Sequence, residues 1–209
     1  MDLSFSSHNA VEEGMTAPDS SSSTEKLWAI QCHISSFQYN YTGTMFYTLK
    51  KSGGTSHICK VVRQIETYRL PIQCVEAIFL SAVLTDQIQG MVRFPLSFKS
   101  RYTTTFHRHI VLAVHYKKKW GAMGISRRDN LMYKPLVFDS LSELIEDYRQ
   151  SYIAVYHRLL TVYLGLPMPH NMEFDQKVVW KALKLRLEPS LSPFQASELD
   201  EFLSQFIKR

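Results

Sequence analysis

The chain has 209 residues, of which 45% are hydrophobic and 21% charged, a balance that excludes wholesale disorder and a fibrous protein. Its length suits one domain with a substantial core, and its formal charge of +5 favours an acidic partner such as nucleic acid, an anionic membrane surface or an acidic peptide. No apolar run is long enough to cross a bilayer, and the first five residues lack the basic and apolar regions of a secretion signal, so we expect an intracellular soluble protein.

The three cysteines, Cys32, Cys59 and Cys74, are widely spaced and form no Cys-x-x-Cys pair. An odd number at such spacing argues against a disulfide framework and against a structural zinc site. The pattern fits a reducing compartment.

Residues 1–24 are rich in serine and poor in apolar groups, so we expect a disordered tail that carries no chemistry. Residues 25–209 form the single predicted domain. Apolar residues at helical spacing predict a helix over 25–37, with Thr24 as its N-cap. The composition then predicts a strand over 44–49 and a second helix over 58–68.

The segment 70–85 organises the chain. Pro71 favours an extended start, and the nearly continuous apolar run that follows predicts a buried helix ending near Gly90. Cys74 then lies in the first turn, where unpaired backbone N–H groups and the helix dipole stabilise a thiolate. Taken alone, a cysteine in this position is also typical of a small core residue.

Strand patterns dominate the middle of the chain. Because proline donates no hydrogen bond to a sheet, Pro95 makes the segment 93–98 a short extended segment or an edge strand. The apolar, β-rich run 109–116 predicts a central strand, and 120–126 returns beside it as an antiparallel strand.

Two capped helices are predicted in the last third. Ser140 and Glu143 have the spacing of a capping box, and the helix that follows has an apolar face that continues to Leu159. We also expect a strand within 178–187 and a final helix that starts at Ser192 and Pro193. The predicted class is α+β, with an N-terminal helical part and the Cys74 helix packed on a small antiparallel sheet.

A nucleophilic cysteine needs a base and a group that orients the base. Cys74 at a helix start, His109 on a strand and Ser126 near the end of the next strand match the arrangement of papain-like and transglutaminase-like peptidases. His109 is equally compatible with a core histidine. His107, His109 and His115 share one strand face, which allows a zinc site, but no third ligand stands at a characteristic spacing, and hydrogen-bonded structural histidines are the simpler interpretation.

Five segments of the chain resemble the vasohibins, in the same order as in that family. They are 37–44 (FQYNYTGT), 70–77 (LPIQCVEA), 93–99 (RFPLSFK), 108–112 (RHIVL) and 121–135 (GAMGISRRDNLMYKP). The resemblance covers residues 25–156, while the C-terminal quarter matches only loosely and the serine-rich tail does not match.

Vasohibins are transglutaminase-like cysteine peptidases that remove the C-terminal tyrosine of α-tubulin. The resemblance implies that Cys74 is the nucleophile, His109 the base and Ser126 the third member of the triad, with no metal or organic cofactor required. Because a serine hydroxyl brings no charge to orient an imidazolium, the backbone carbonyl of Leu131 is a further candidate for that role. The alternatives are another thiol peptidase, a transglutaminase-type acyl transferase or a non-catalytic microtubule-binding module.

A carboxypeptidase must also recognise a free carboxylate. The resemblance assigns the carboxylate to Arg127 and a place in the substrate pocket to Tyr39. At Gln73 the chain departs from the animal vasohibins, which carry a lysine there that helps hold the same carboxylate. Recognition of the terminal carboxylate is therefore expected to be weaker here or to shift to Arg127, Arg128 or Arg108. The alternative for Arg127 and Arg128 is a solvated pair on a loop.

The acidic tail of α-tubulin gives the positive charge a purpose. We expect four lysines, at positions 117–119 and 134, to crowd the mouth of the site together with Arg127 and Arg128. The alternative is that the lysines only keep the surface soluble. No nucleic-acid-binding motif is present in the sequence, so nucleic acid is not the expected partner. A membrane is not expected as a partner either.

Animal vasohibins bind a short helical chaperone, the small vasohibin-binding protein, through extra N-terminal helices. Here the serine-rich tail stands in that region, so we expect the chain to fold and act without such a subunit or to dock it differently. The expected location is the cytoplasm, on the microtubule cytoskeleton.

Overall fold

A computed structural model describes residues 20–50, 52–187 and 190–207. Most of the predicted tail, residues 1–19, lies outside the described residues. The last five residues of the predicted tail, 20–24, are helical. The first helix begins at Ser20, so the predicted N-cap at Thr24 is wrong.

The described part of the chain contains five α-helices, six strands and one short 3₁₀-helix, Asp129–Leu131. The helices are α1 (Ser20–Ser35), α2 (Thr55–Tyr68), α3 (Cys74–Leu84), α4 (Leu141–Ala154) and α5 (Pro193–Ser204). The strands are β1 (Val92–Tyr102), β2 (Thr105–Tyr116), β3 (Lys119–Met123), β4 (Lys134–Phe138), β5 (Arg158–Leu164) and β6 (Leu183–Arg186). They form one antiparallel sheet in the order β4-β3-β2-β1-β5-β6. The class is therefore α+β, as predicted.

The sheet carries helices on both faces. Along β2, Leu112 and Val114 belong to the hydrophobic core that α1, α2 and α3 share, whereas Val111 and Ala113 belong to the core formed with α4 and α5. This alternation is what a strand buried on both faces requires. The central strand predicted over 109–116 is confirmed, and so is its antiparallel partner, although that strand ends at Met123 and leaves Ser126 in the chain beyond it.

The strand predicted over 44–49 is wrong. Those residues, all of them described, form an irregular segment in which Met45 is almost fully exposed. The Asn40 side chain donates to the carbonyl of Thr44 and accepts from the backbone N–H of Gly43, which closes a turn where a strand would have to start. Composition alone did not reveal this local hydrogen bonding.

The edge position predicted for the segment around Pro95 is also wrong, because β1 is central and 11 residues long. The ladder with β5 begins one residue later, at Leu96. Pro95 uses its carbonyl on that side, accepting from the backbone N–H of Gly165 at 2.9 Å, so its missing N–H falls at the end of the ladder. A Cβ at Gly165 would lie 2.5 Å from the carbonyl oxygen of Val179 and 3.0 Å from the proline ring, which explains the glycine.

Several element boundaries differ from the predictions, and three of the differences change the description of the fold. Helix α3 ends at Leu84, six residues before Gly90. Helix α4 ends at Ala154, because the chain reverses at Tyr156 with φ 62°, and Leu159 lies on β5, which the sequence patterns did not separate from the helix. The strand expected over 178–187 contracts to β6. The caps at Ser140 and Ser192 are confirmed, since each serine hydroxyl accepts from the third backbone N–H of its helix. The Glu143 carboxylate, however, accepts from the backbone N–H of Asp139, so the capping box predicted for Ser140 and Glu143 forms only in part.

Arg93 holds the C-terminal end of α3 from inside the protein. Its guanidinium is fully buried, donates to the carbonyls of Ala82 and Pro169 at 2.7 Å each, and lies 3.4 Å from the carboxylate of Asp86. One buried cation therefore ties β1 to the last turn of α3 and to the segment that follows β5.

Replacing Arg93 by methionine is expected to lower the free energy of unfolding by about 3–5 kcal/mol, because the buried Asp86 carboxylate loses its cation. Urea denaturation followed by tryptophan fluorescence measures the change. The control is Arg149→Met, which removes the more exposed pair with Glu146 on α4 and is expected to cost less than about 1 kcal/mol. Equal losses in the two variants would contradict a special role for the buried cation.

Candidate active site

Cys74 is the first residue of α3, and the chain before it is fixed by a short parallel bridge between Tyr39 and Ile72. The backbone N–H of Ile72 donates to Gln38 at 2.9 Å, and its carbonyl accepts from Asn40 at 2.8 Å. Position 73 is extended, so the helix starts abruptly at the cysteine. The sulfur therefore lies at the positive end of a helix that is buried along most of its length.

His109 lies on β2 just beyond the point where β3 departs. The ladder between these strands ends at the pair Leu112 and Met123, and the chain after Met123 folds back over β2. This brings the carbonyl oxygen of Leu131 to 2.7 Å from Nε2 of His109. Because a carbonyl only accepts, Nε2 carries the hydrogen, and Nδ1 is the acceptor of the neutral imidazole.

Two clefts meet at Cys74, Arg108 and His109, which line both of them. The first has a volume of about 290 Å³; we call it the arginine cleft because Arg127 and Arg128 also line it. The second has a volume of about 440 Å³; we call it the tryptophan cleft because Trp180 forms part of its wall. A group bound across the cysteine and histidine would extend into both clefts.

The electrostatics of the site favour a neutral His109. His109 keeps some solvent exposure, but burial of its ring lowers the pKa of His109 to about 4, against a smaller opposing effect of the bond to Leu131. A neutral imidazole is able to take the thiol proton. Burial also raises the pKa of Tyr39, a negative charge on Cys74 raises it further, and a hydrogen bond from Arg127 opposes the rise.

Ser126 lines the arginine cleft, but its hydroxyl accepts from the backbone N–H of Arg128 at 3.3 Å. The orienting contact to His109 comes from Leu131. That carbonyl is itself held in place on both sides: Asn130 donates to the carbonyl of Ser151 on α4, and Tyr148 donates to the carbonyl of Met132 at 2.7 Å.

The residues predicted to bind the terminal carboxylate of the substrate lie in two different environments. Arg127 and Tyr39 lie together, with the guanidinium carbon 5.7 Å from the ring centroid of the tyrosine. Gln73 is adjacent to Cys74, but its amide donates to the carbonyl of Asn40 and braces the loop instead.

The prediction that the hairpin lysines crowd the site is wrong. Lys117 and Lys118 turn the chain at the far end of β2, about 26 Å along the strand from His109 at about 3.3 Å per residue. Lys119 pairs with Asp139, and Lys134 pairs with Asp147 on α4. The lysines that do line the tryptophan cleft are Lys99 and Lys181, which sequence reasoning missed because their approach depends on β1 being central and on the path of the chain after β5.

Gln31 on α1 holds the start of the loop that carries Ser126 and Arg127. Its buried amide donates to the carbonyl of Gly124 at 2.9 Å and accepts from the N–H of the same residue at 3.1 Å. One side chain thereby satisfies the N–H and the carbonyl of Gly124, which would have bonded to β2 if β3 had continued for one more residue.

The other histidines of β2 have packing partners. His107 lies 4.7 Å from the ring of His157, and His115 lies 4.8 Å from that of Trp120. Among the described residues, no three histidine, cysteine or acidic side chains are grouped so that they could hold a metal ion. Nor does any helix in the described ranges have the length and apolar character to cross a bilayer.

Comparison with known proteins gives two findings. The family model of the vasohibins matches residues 6–206, which extends beyond the resemblance over 25–156 at both ends. A mouse (Mus musculus) protein named tubulinyl-Tyr carboxypeptidase 1 is 40% identical over 164 residues, equal to 78% of this chain and 44% of that protein. The matched region thus spans less than half the length of this relative. Because the family match extends over nearly the entire sequence, the chain belongs to the vasohibin family.

Proposed function

We propose that this chain is a cysteine carboxypeptidase that removes the C-terminal tyrosine of α-tubulin on microtubules. The observation that carries the proposal is that Cys74 and His109 line the same two clefts, one of which also holds Arg127 and Tyr39. The name of the mouse relative supports the reaction and the substrate. A cysteine at a helix start against an antiparallel sheet that carries the histidine further supports a transglutaminase-like fold.

In the proposed mechanism, the thiol proton of Cys74 passes to Nδ1 of His109 while the carbonyl of Leu131 holds the Nε2 hydrogen. The thiolate attacks the carbonyl carbon that precedes the terminal tyrosine, and a carbon–sulfur bond forms. As the tetrahedral intermediate collapses, the tyrosine amine leaves with the proton from His109. A water molecule that His109 deprotonates then hydrolyses the acyl-enzyme and restores the thiol.

We assign the terminal carboxylate to the arginine cleft. Arg127 supplies a fixed cation there, and the Tyr39 hydroxyl, which hydrogen bonds to it, supplies a neutral donor. Because the Gln73 amide is engaged with the carbonyl of Asn40, Arg127 bears a larger share of carboxylate binding than in relatives with a lysine at position 73.

We assign the acidic residues upstream of the terminal tyrosine to the tryptophan cleft. Lys99, Arg108 and Lys181 line it, so three positive side chains border the path that the acyl half of the substrate would take from Cys74. Trp180 and Tyr163 supply apolar surface between those charges. Positive charges together with apolar surface suit an extended peptide that is rich in acidic side chains.

The purified protein is expected to release tyrosine from a tail peptide with a free terminal carboxylate but not from the same peptide with a terminal amide. Mass spectrometry of the peptide measures the loss. Cys74→Ala is expected to reduce the rate at least a thousandfold, because the nucleophile acts as a unit with its base. Cys32→Ala, on the exposed face of α1, is the matched control and should retain the activity. Equal cleavage of the amide would point to a different thiol peptidase, and tubulin binding without cleavage would point to a binding module.

Arg127→Ala is expected to lower kcat/KM for the free-acid peptide about ten- to a hundredfold, the usual value of hydrogen bonds to a charged group. It is also expected to erase most of the difference between the acid and the amide, since that difference originates in the guanidinium. Arg101→Ala, on β1 and facing solvent, is the control. An Arg127 variant that still discriminates fully between acid and amide would refute this assignment of the carboxylate.

The acid limb of kcat/KM is expected at least one pH unit below the ordinary histidine value of about 6.5. Burial lowers the pKa of His109, so the ring stays neutral and able to accept a proton until the pH falls well below that value. Initial rates on the tail peptide between pH 4.5 and pH 8, expected to remain near their plateau at about pH 6, test this. The control is His33→Gln, which is remote from both clefts and should leave the midpoint of the acid limb unchanged. In the unaltered protein, a midpoint at or above the ordinary histidine pKa would contradict a neutral His109 at lower pH.

A further inference from the structure

Tyr152 on α4 has a hydroxyl group that the fold does not satisfy. The residue is 2% exposed, and among the described residues its hydroxyl has no hydrogen-bond partner. Tyr148, one turn earlier on the same helix and equally buried, donates to the carbonyl of Met132 at 2.7 Å. A buried hydroxyl without a partner opposes folding, so a phenylalanine would suit this position better if packing were its only role.

The unsatisfied hydroxyl belongs to a residue at the candidate active site. Tyr152 lines the arginine cleft together with Cys74 and His109. Its ring packs 5.7 Å from that of Phe98, which in turn stacks 6.2 Å from the imidazole of His109. Tyr152 thus borders the nucleophile and the base from the α4 side of the sheet.

Charge links the tyrosine to the cysteine. Burial raises the pKa of Tyr152 far above the ordinary value, and a negative charge on Cys74 raises it further. The phenol therefore remains protonated at all physiological pH values and is available only as a donor. The thiolate is close enough for its charge to act on that donor.

We propose that the Tyr152 hydroxyl donates a hydrogen bond to the Cys74 sulfur when the cysteine ionises, and so stabilises the thiolate. A neutral thiol is a poor acceptor, whereas a thiolate accepts a charge-assisted bond, which explains why the hydroxyl has no partner in the resting arrangement. In the ionisation step, the S–H bond breaks, its electron pair stays on sulfur and the proton moves to Nδ1 of His109. The phenol hydrogen is shared with the sulfur and is not transferred. The proposal deepens the proposed function, on which the role of Cys74 rests.

Other ionisable groups also face the cysteine, and all of them are common to the unaltered protein and to a variant at position 152. Those around the arginine cleft are Tyr39 before α3, His107, Arg108 and His109 on β2, Arg127 and Arg128 after β3, and His157 after α4. Lys99 and Lys181 approach through the tryptophan cleft. A difference between Tyr152 and phenylalanine at this position therefore reports the hydroxyl alone.

The test is the rate at which iodoacetamide alkylates Cys74 as a function of pH, measured on the Cys74 peptide by mass spectrometry so that Cys32 and Cys59 do not interfere. Tyr152→Phe is expected to move the alkylation midpoint up by about one pH unit, a tenfold change in the ionisation constant. On the tail peptide, kcat/KM is expected to fall about tenfold at pH values below the new midpoint and to recover above it. No substrate is needed for the alkylation, so its outcome is independent of whether tubulin is cleaved.

Stability provides a second readout. Thermal unfolding of Tyr152→Phe is expected at the same or a higher temperature, because the variant removes an unsatisfied buried group. Tyr148→Phe is the matched control and is expected to unfold at a lower temperature, since the Met132 carbonyl loses its donor.

Two results would overturn the proposal. One is an unchanged alkylation midpoint together with a loss of activity at every pH, which would mean that the hydroxyl acts on the substrate and not on the sulfur. The other is an unchanged midpoint with unchanged activity. If Tyr152→Phe fails to fold, a fluorinated tyrosine at position 152 replaces it; as a stronger donor, it is expected to move the midpoint down, and no movement would refute the proposal.

Discussion

The placement of α3 is the constraint on which the site depends, because this helix carries the candidate nucleophile at its first residue. Its two ends are fixed by different physics. At the C-terminal end, the buried Arg93 guanidinium joins the Ala82 carbonyl to Asp86 and to the segment after β5. At the N-terminal end, the backbone bridge between Tyr39 and Ile72 fixes the chain two residues before the helix begins. Loss of either partner would leave a buried charge uncompensated, so this pair strongly favours one position for a helix whose start must meet a strand from another part of the chain.

The second element of the site is the early end of β3. Because its ladder with β2 stops at Met123, the His109 end of β2 is open on one side, and the chain that would have continued the sheet supplies functional groups instead. Gln31 satisfies Gly124, the first residue beyond the ladder, and contacts with α4 hold the turn that presents the Leu131 carbonyl. The candidate base His109 is thus oriented by a backbone group whose own neighbours are held in place.

Sequence reasoning succeeded where local patterns decide structure. The continuous apolar run predicted α3, the β-rich run predicted β2, and serine caps predicted α4 and α5. Sequence reasoning fails where contacts between distant segments decide the structure. The sequence does not show where the ladder with β5 ends, so the pattern around Pro95 wrongly favours an edge strand. Because Leu159 continues the apolar face of α4, the same patterns do not separate β5 from that helix. Of the candidate site, Cys74 and His109 are recognisable by residue type, whereas the hydrogen bond from His109 to Leu131 is not, because a backbone carbonyl leaves no sequence signature.

Tyr148 and Tyr152 show how the same helical face serves packing and chemistry at once. Both fit the apolar periodicity of α4, and the sequence assigns both to the core. The fold gives one hydroxyl a carbonyl acceptor that supports the Leu131 turn, and it leaves the other without an acceptor beside the candidate nucleophile. Selection for stability alone would remove the second hydroxyl, since phenylalanine keeps the ring contacts with Phe98 and discards the unsatisfied group. The buried and unpaired hydroxyl of Tyr152, beside the candidate nucleophile, is therefore better explained by a charge that exists only during a reaction than by the resting structure.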